Sequence, residues 1–415
     1  GLFGGVNHIV LPPELTGCKA SIIMLTGRYF PTGAHKVGAT YGCLVPGLVT
    51  GQFDPQQTRA VWPSTGNYCR GGAYISALLA CNAIAILPEE MSQERFEWLH
   101  EIAGEVIATP GCESNVKEIF DKCWELRESG QDLRIFNQFE EMGNPMWHYS
   151  VTGHAVETLL DQYLAGGKRY AGYVSSSGSG GTLGAGYYLK HKFPRSQVVA
   201  AEALQCATLL YNGFGAHRIE GIGDKHVPWV HDCKETDFVV AVDDEVPMRA
   251  LRLFNEPVGR TALVDNGVAA TLVEQLDLLG ISGIGNMVAA IKYAKYNELT
   301  EDDYVVSIAT DSMQLYGSRL SELEAERGVY SAADAQRDLE LVDSIAIDHT
   351  KELSYYEKKA VHNLKYYTWI EQQGREVQEL NEQWYDHDNY WYTMFDQVDE
   401  IDALINQFNE RVGLL

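Results

Sequence analysis

Ser175-Ser176-Ser177-Gly178-Ser179-Gly180-Gly181-Thr182 separates a run that reads as a strand, Tyr170 to Ser175, from one that reads as a helix, Leu183 to Lys190. A glycine loop in that setting lets several backbone N–H groups converge on one anion, and the helix start adds a favourable dipole. Ser179 and Thr182 bring hydroxyl donors to the same place. The spacing is not that of a dinucleotide-binding turn, and the loop lacks the lysine of a nucleoside-triphosphate loop. It reads as a phosphate cradle.

Working outward, strand and helix keep alternating. Ala83 to Leu87 and Glu105 to Thr109 read as strands, with helices at Ser92 to Ala103 and Ser114 to Glu128. Thr152 to Leu164 is a helix. Strands follow at Gln197 to Ala203, Phe238 to Val242 and Tyr304 to Ala309, with helices at Pro247 to Phe254 and Met287 to Tyr296. Alternation at these lengths marks an α/β protein with doubly wound, mostly parallel sheets. A boundary near Asn144 to Tyr149 divides it into a smaller α/β domain, 31–148, and a larger one made of 1–30 and 149–320, which carries the glycine loop. From 321 to 415 strand patterns vanish, acidic residues outnumber basic ones, and aromatics cluster from Tyr355 to Tyr392. That segment reads as a helical extension packed on the body or on a neighbouring subunit.

A second stretch carries reactive chemistry. In Phe30-Pro31-Thr32-Gly33-Ala34-His35-Lys36-Val37-Gly38-Ala39 one lysine, Lys36, follows a turn and precedes a small-residue helical run. The turn fixes the lysine stem, and the small residues let another segment approach closely. A lysine so placed suits a Schiff base with an aldehyde, because the unprotonated amine is the reactive form. An aldehyde for Lys36 and a phosphate for the loop together describe pyridoxal 5'-phosphate.

The net charge of -25 excludes nucleic acid and an anionic membrane as expected partners, since both call for Lys and Arg clusters. No run of eighteen apolar residues occurs, and no signal-peptide pattern stands at the start, although the chain begins with Gly1 rather than Met. The eight cysteines are scattered, with no C-x-x-C pair and no cysteine–histidine spacing typical of zinc. They read as reduced thiols of a cytoplasmic protein, and no metal site is expected.

The chain resembles the cysteine synthase and cystathionine beta-synthase family, the fold-type-II pyridoxal-phosphate enzymes, whose fold is that of the tryptophan synthase beta subunit. Pro31-Thr32-Gly33-Ala34-His35-Lys36 is similar to the family's Pro-x-Gly-Ser-x-Lys, whose lysine binds the cofactor. Ser64-Thr65-Gly66-Asn67 is similar to its Ser-x-Gly-Asn loop, which holds the substrate carboxylate and, through the Asn, the ring hydroxyl. Gln138-Phe139, Asn144-Pro145 and Thr152-Gly153 follow in the family's order, the Gln helping with the carboxylate. Gly178-Ser179-Gly180-Gly181-Thr182 resembles the Gly-Thr-Gly-Gly-Thr phosphate loop, and Glu220-Gly221-Ile222-Gly223 a Gln-Gly-Ile-Gly segment lining the site. Asp311-Ser312 resembles the position whose hydroxyl faces the pyridine nitrogen. The chain departs from the family at Val37-Gly38, where Asp-Arg is usual, at Ser282-Gly283-Ile284 in place of Ser-Ser-Gly, and at Tyr68-Cys69-Arg70 in the substrate loop. The family's N-terminal Gly-Asn-Thr-Pro-Leu block, a haem segment and paired regulatory domains are not recognisable.

The resemblance implies a lyase or a β-replacing transferase of amino-acid metabolism. It would act on a cysteine- or serine-like amino acid through an aminoacrylate, as a homodimer or higher homo-oligomer. Lys36 would be the catalytic base and cofactor lysine. Asn67, Gly178, Ser179, Gly180, Gly181, Thr182 and Ser312 would hold the cofactor, and Ser64, Thr65, Gly66, Tyr68, Gln138 and Gly221 the substrate. A dehydratase or racemase of the same fold, or a cofactor-binding subunit with an interaction role, are the alternative expectations.

Overall fold

The computed structural model describes residues 5–222 and 224–415, so Gly1 and Gly223 lie outside the described residues. In chain order the strands are β1 (His8–Leu11), β2 (Ser21–Thr26), β3 (Arg59–Pro63), β4 (Ala83–Pro88), β5 (Glu105–Thr109) and β6 (Leu133–Ile135). They continue with β7 (Arg169–Ser176), β8 (Gln197–Ala203), β9 (Phe238–Val242), β10 (Asp303–Ala309) and β11 (Thr350–Glu352). They form a 7-stranded sheet of order β1-β2-β10-β7-β8-β9-β11 and a 4-stranded sheet of order β5-β4-β3-β6. The small sheet is parallel throughout. The large one is parallel from β2 to β9, with β1 and β11 as antiparallel edges.

Central parallel strands are covered on both faces and so carry continuous apolar runs. β4 is buried along its whole length, as is β9. The helix Ile281–Tyr296 lies across the large sheet and is buried from Ile281 to Ala294. β1, β6 and β11 have three or four residues each, too few to show a period. β11 corrects the expectation that strands end before residue 321. Its register against β9 (Thr350 opposite Val240, Glu352 opposite Phe238) is held by backbone pairing, which leaves no mark on side-chain pattern.

The segment expected to mark a boundary is an uninterrupted helical run from Gly143 to Tyr163, with one π-helical stretch at His148–Thr152. It packs on the helix Lys36–Val49, and the small residues after Lys36 are what admit it. A Cβ on Gly42 would stand 2.4 Å from the Gly143 carbonyl oxygen. The extension packs on the body. Ala335, Leu339 and Val342 join the core under the large sheet, Trp391 and Phe395 cover its other face, and Leu404, Ile405 and Phe408 reach the core of the small sheet. Its buried Lys365 donates to the carbonyls of Trp229 (2.9 Å) and His231 (2.7 Å) and to Gln383 (2.7 Å). His231 in turn stands 3.5 Å from the Ser177 hydroxyl at the start of the glycine loop. The extension therefore props the segment beside that loop. All eight cysteines are free and buried, and no described helix is long and apolar enough to cross a membrane.

Candidate active site

In parallel α/β sheets, ligands bind beyond the carboxyl ends of the strands. Here those ends face one cleft. From the large sheet come Ser176 at the end of β7, Gly178, Ser179 and Thr182 after it, and Thr310 after β10. From the small sheet come Ser64, Thr65, Asn67 and Tyr68 after β3, and Gln138 and Phe139 after β6; Lys36, Gly221 and Ile222 complete the lining. The turn before Lys36 is pinned where the His35 amide donates to the Thr310 carbonyl (2.9 Å). The Lys36 Nζ then reaches across the cleft and donates to the Ser179 Oγ at 2.9 Å. The two stretches that the sequence singled out, 143 positions apart, meet here. Asn144 holds the meeting point from behind, donating to Ser179 Oγ (3.0 Å) and to the Gln138 carbonyl (2.9 Å).

Of the expected site residues, Lys36, Ser64, Thr65, Asn67, Tyr68, Gln138, Gly178, Ser179, Thr182 and Gly221 line the cleft. Gly66, Gly180 and Gly181 shape the loops without lining it; the Gly66 amide donates to Ser64 Oγ at 2.9 Å. Ser312 is not among the residues that line the cleft. The chain bends at Asp311 after β10 ends, and the Ser312 hydroxyl is buried with no partner among the described residues. The Thr310 hydroxyl lines the cleft and bonds that of Ser282. Gly221 (φ +94) keeps the space beside them open, because a Cβ there would lie 3.1 Å from Ser282 Oγ and 3.9 Å from Asn67 Nδ2.

Behind the substrate loop lies a buried ion cluster that sequence reasoning missed. Arg95, fully buried in the helix Gln93–Ile102, donates to Glu220, to Tyr316 (2.7 Å) and to Asp311 (3.5 Å). Asp311 also accepts from Asn67 Nδ2 (2.6 Å) and from the Tyr316 hydroxyl (2.7 Å). A carboxylate only accepts, so this contact turns the Asn67 amide nitrogen toward Asp311 and leaves its carbonyl oxygen free. Arg319 adds a second cation on Glu220. The cluster ties the helix after β4 to the end of β10. One signal was legible: Arg95 stands four residues before buried Leu99, on the buried face of its helix.

Comparison with known proteins assigns this geometry. The family model for pyridoxal-phosphate dependent enzymes matches residues 27–311. The chain belongs to the pyridoxal-phosphate dependent enzyme family. Cysteine synthase of Staphylococcus aureus is 31% identical over 269 residues, covering 65% of this chain and 84% of that enzyme. Cystathionine beta-synthase of Saccharomyces cerevisiae is 28% identical over 313 residues, covering 73% of this chain but only 58% of the yeast protein. The fold matches that of O-acetylserine dependent cystathionine beta-synthase from Helicobacter pylori with a TM-score of 0.64 at 24% identity, over 76% of this chain and 95% of that one.

The residues present fit pyridoxal phosphate, the cofactor of the family. The cleft offers one amine, a glycine loop with two hydroxyls, and an open slot at Gly221 between Asn67 and Ser282. Burial disfavours the ammonium form of Lys36 and lowers its pKa to about 8. Below that value the amine is mostly protonated and unreactive, so cofactor capture by the apoprotein should accelerate as pH rises, with a midpoint near about 8. Stopped-flow absorbance of cofactor uptake checks this; a rate independent of pH across that midpoint contradicts it. His35 and His148, 5.1 Å apart behind Lys36, are both kept neutral by burial.

Proposed function

We propose that the protein catalyses β-elimination or β-replacement on a serine- or cysteine-like amino acid, with Lys36 as the base. The observation that carries this reading is the 2.9 Å contact between the Lys36 amine and Ser179 of the glycine loop, which puts a reactive amine and an anion cradle in one cleft. Kinship with cysteine synthase and cystathionine beta-synthase supports the reaction class.

Each residue has a role that its position allows. Loop amides, with Ser179 and Thr182, hold the phosphate. The Asn67 carbonyl oxygen, left without a partner by the contact to Asp311, would be available to the cofactor ring. Ser64, Thr65 and Gln138 receive the substrate carboxylate, and Tyr68 and Phe139 exclude water from its side. The bound cofactor supplies an electron sink for the pair left when Cα loses its proton. Lys36, its amine partly neutral near physiological pH, takes that proton and holds it at Nζ. Thr310 and Ser282, bonded to each other beside Gly221, would offer neutral hydroxyls to a bound cofactor.

A panel of serine, cysteine and O-acetylserine, with and without sulfide, tests the reading. Release of an oxoacid and ammonia, or formation of a β-substituted product, is the expected result. Stereochemical inversion of the amino acid with no loss of its β-substituent would contradict it and favour a racemase. Spectral silence toward the whole panel, with cofactor bound, would favour an interaction role. We further infer a homo-oligomer and a cytoplasmic setting from kinship with these enzymes.

A further inference from the structure

Residues 227–232 lie between the glycine loop and the C-terminal extension, and the extension holds them at four places. The Trp369 indole donates to the Val227 carbonyl (2.9 Å). Lys365 donates to the carbonyls of Trp229 and His231, and the His387 ring bonds the Asp232 carboxylate (2.7 Å). Pinned in this way, His231 meets the glycine loop at two points. Its Nδ1 stands 3.5 Å from the Ser177 hydroxyl, and its Cβ lies 3.1 Å from the place a Cβ on Gly180 would take. Gly180 has φ +77, so a side chain there would be strained as well as crowded. Gly178 and Ser179, which line the cleft, are the two residues between those contacts.

Hydrogen bonding decides what the His231 ring does. The Thr236 hydroxyl donates its proton to the Asp232 carbonyl (3.0 Å), so it accepts from His231 Nε2 (2.8 Å). Burial, with the Lys365 charge beside it, lowers the His231 pKa to about 3, and the ring stays neutral. A neutral imidazole has one donor and one acceptor nitrogen, which leaves Nδ1 as the acceptor. The hydroxyl that faces it is that of Ser177.

We propose that His231 is a positioning residue for cofactor binding. Through the Ser177 hydroxyl and its packing on Gly180 it fixes the turn that carries Gly178 and Ser179, and the C-terminal extension fixes His231. The inference rests on the reading of 178–182 as the phosphate cradle. It gives the extension a part in holding the cofactor although none of its residues lines the cleft.

Equilibrium titration of the full-length apoprotein with pyridoxal 5'-phosphate and with pyridoxal, which lacks the phosphate, tests this through the ratio of the two dissociation constants. His231→Ala should raise the constant for pyridoxal 5'-phosphate about tenfold and leave that for pyridoxal within about twofold of wild type. Damage to the fold at large would weaken both alike. His231→Asn, whose side-chain oxygen can stand where Nδ1 stood and accept from Ser177, should recover most of the loss. Ser177→Ala should weaken pyridoxal 5'-phosphate selectively, and adding it to His231→Ala should cost nothing further, because both cut the same contact. Unchanged affinity for pyridoxal 5'-phosphate, equal losses on both ligands, no recovery by asparagine, or additive losses in the double variant would each overturn the assignment. If His231→Ala does not fold, Ser177→Ala decides by the same ratio, and an unaltered ratio overturns the proposal. A wild type that binds pyridoxal as tightly as pyridoxal 5'-phosphate would instead overturn the cradle reading, and this inference with it.

Discussion

Replacing Lys36 by alanine is expected to lower turnover by about a thousandfold or more and to remove the visible absorbance of lysine-bound cofactor. The Nζ is the only amine among the residues lining the cleft, and it spans the gap to Ser179. Its loss removes both the covalent attachment and the base. The fold should survive, because the lysine is buried without an ionic partner and its one hydrogen bond is to a hydroxyl. Lys36→Arg should not rescue turnover, since a guanidinium keeps its proton and forms no imine. Turnover and absorbance spectra check both variants. A Lys36→Ala protein that retains colour and activity within about tenfold of wild type would contradict the role.

Arg95→Met should cost about 3–5 kcal/mol of stability. Methionine fills much of the volume but leaves Asp311 and one edge of Glu220 buried without their cation. Asp311 is then held only by Asn67 and Tyr316, and Glu220 by Arg319 and the Ser92 amide. The midpoint of urea unfolding at unchanged slope reads the loss. Because the stranded carboxyls can recover by taking up protons, the deficit should shrink as pH falls. A loss below about 1 kcal/mol, the scale of an exposed ion pair, would show that the cluster is not the clasp between the two sheets.

Much of the architecture was readable before any coordinates, and for one reason. Strands such as β8, β9 and β5 belong to parallel sheets, where helix follows strand at regular length, and the structure sets them at the bounds expected from the sequence. β6 and β11 were not readable because short edge strands are held by backbone bonds that impose no side-chain pattern. In the site, Lys36 and the Gly178–Thr182 loop were legible because each needs special residues at fixed spacing around a turn. Arg95 was harder to read, since a charged residue on a helix ordinarily faces solvent and only its spacing to Leu99 hinted otherwise. It is buried where it pairs with Glu220 and Asp311.

The most direct test is borohydride reduction of the holoprotein followed by peptide mapping. One pyridoxyl group on the peptide containing Lys36 is the predicted result, because that amine alone faces the glycine loop. Labelling of any other lysine, with Lys36 unmodified, would contradict the account.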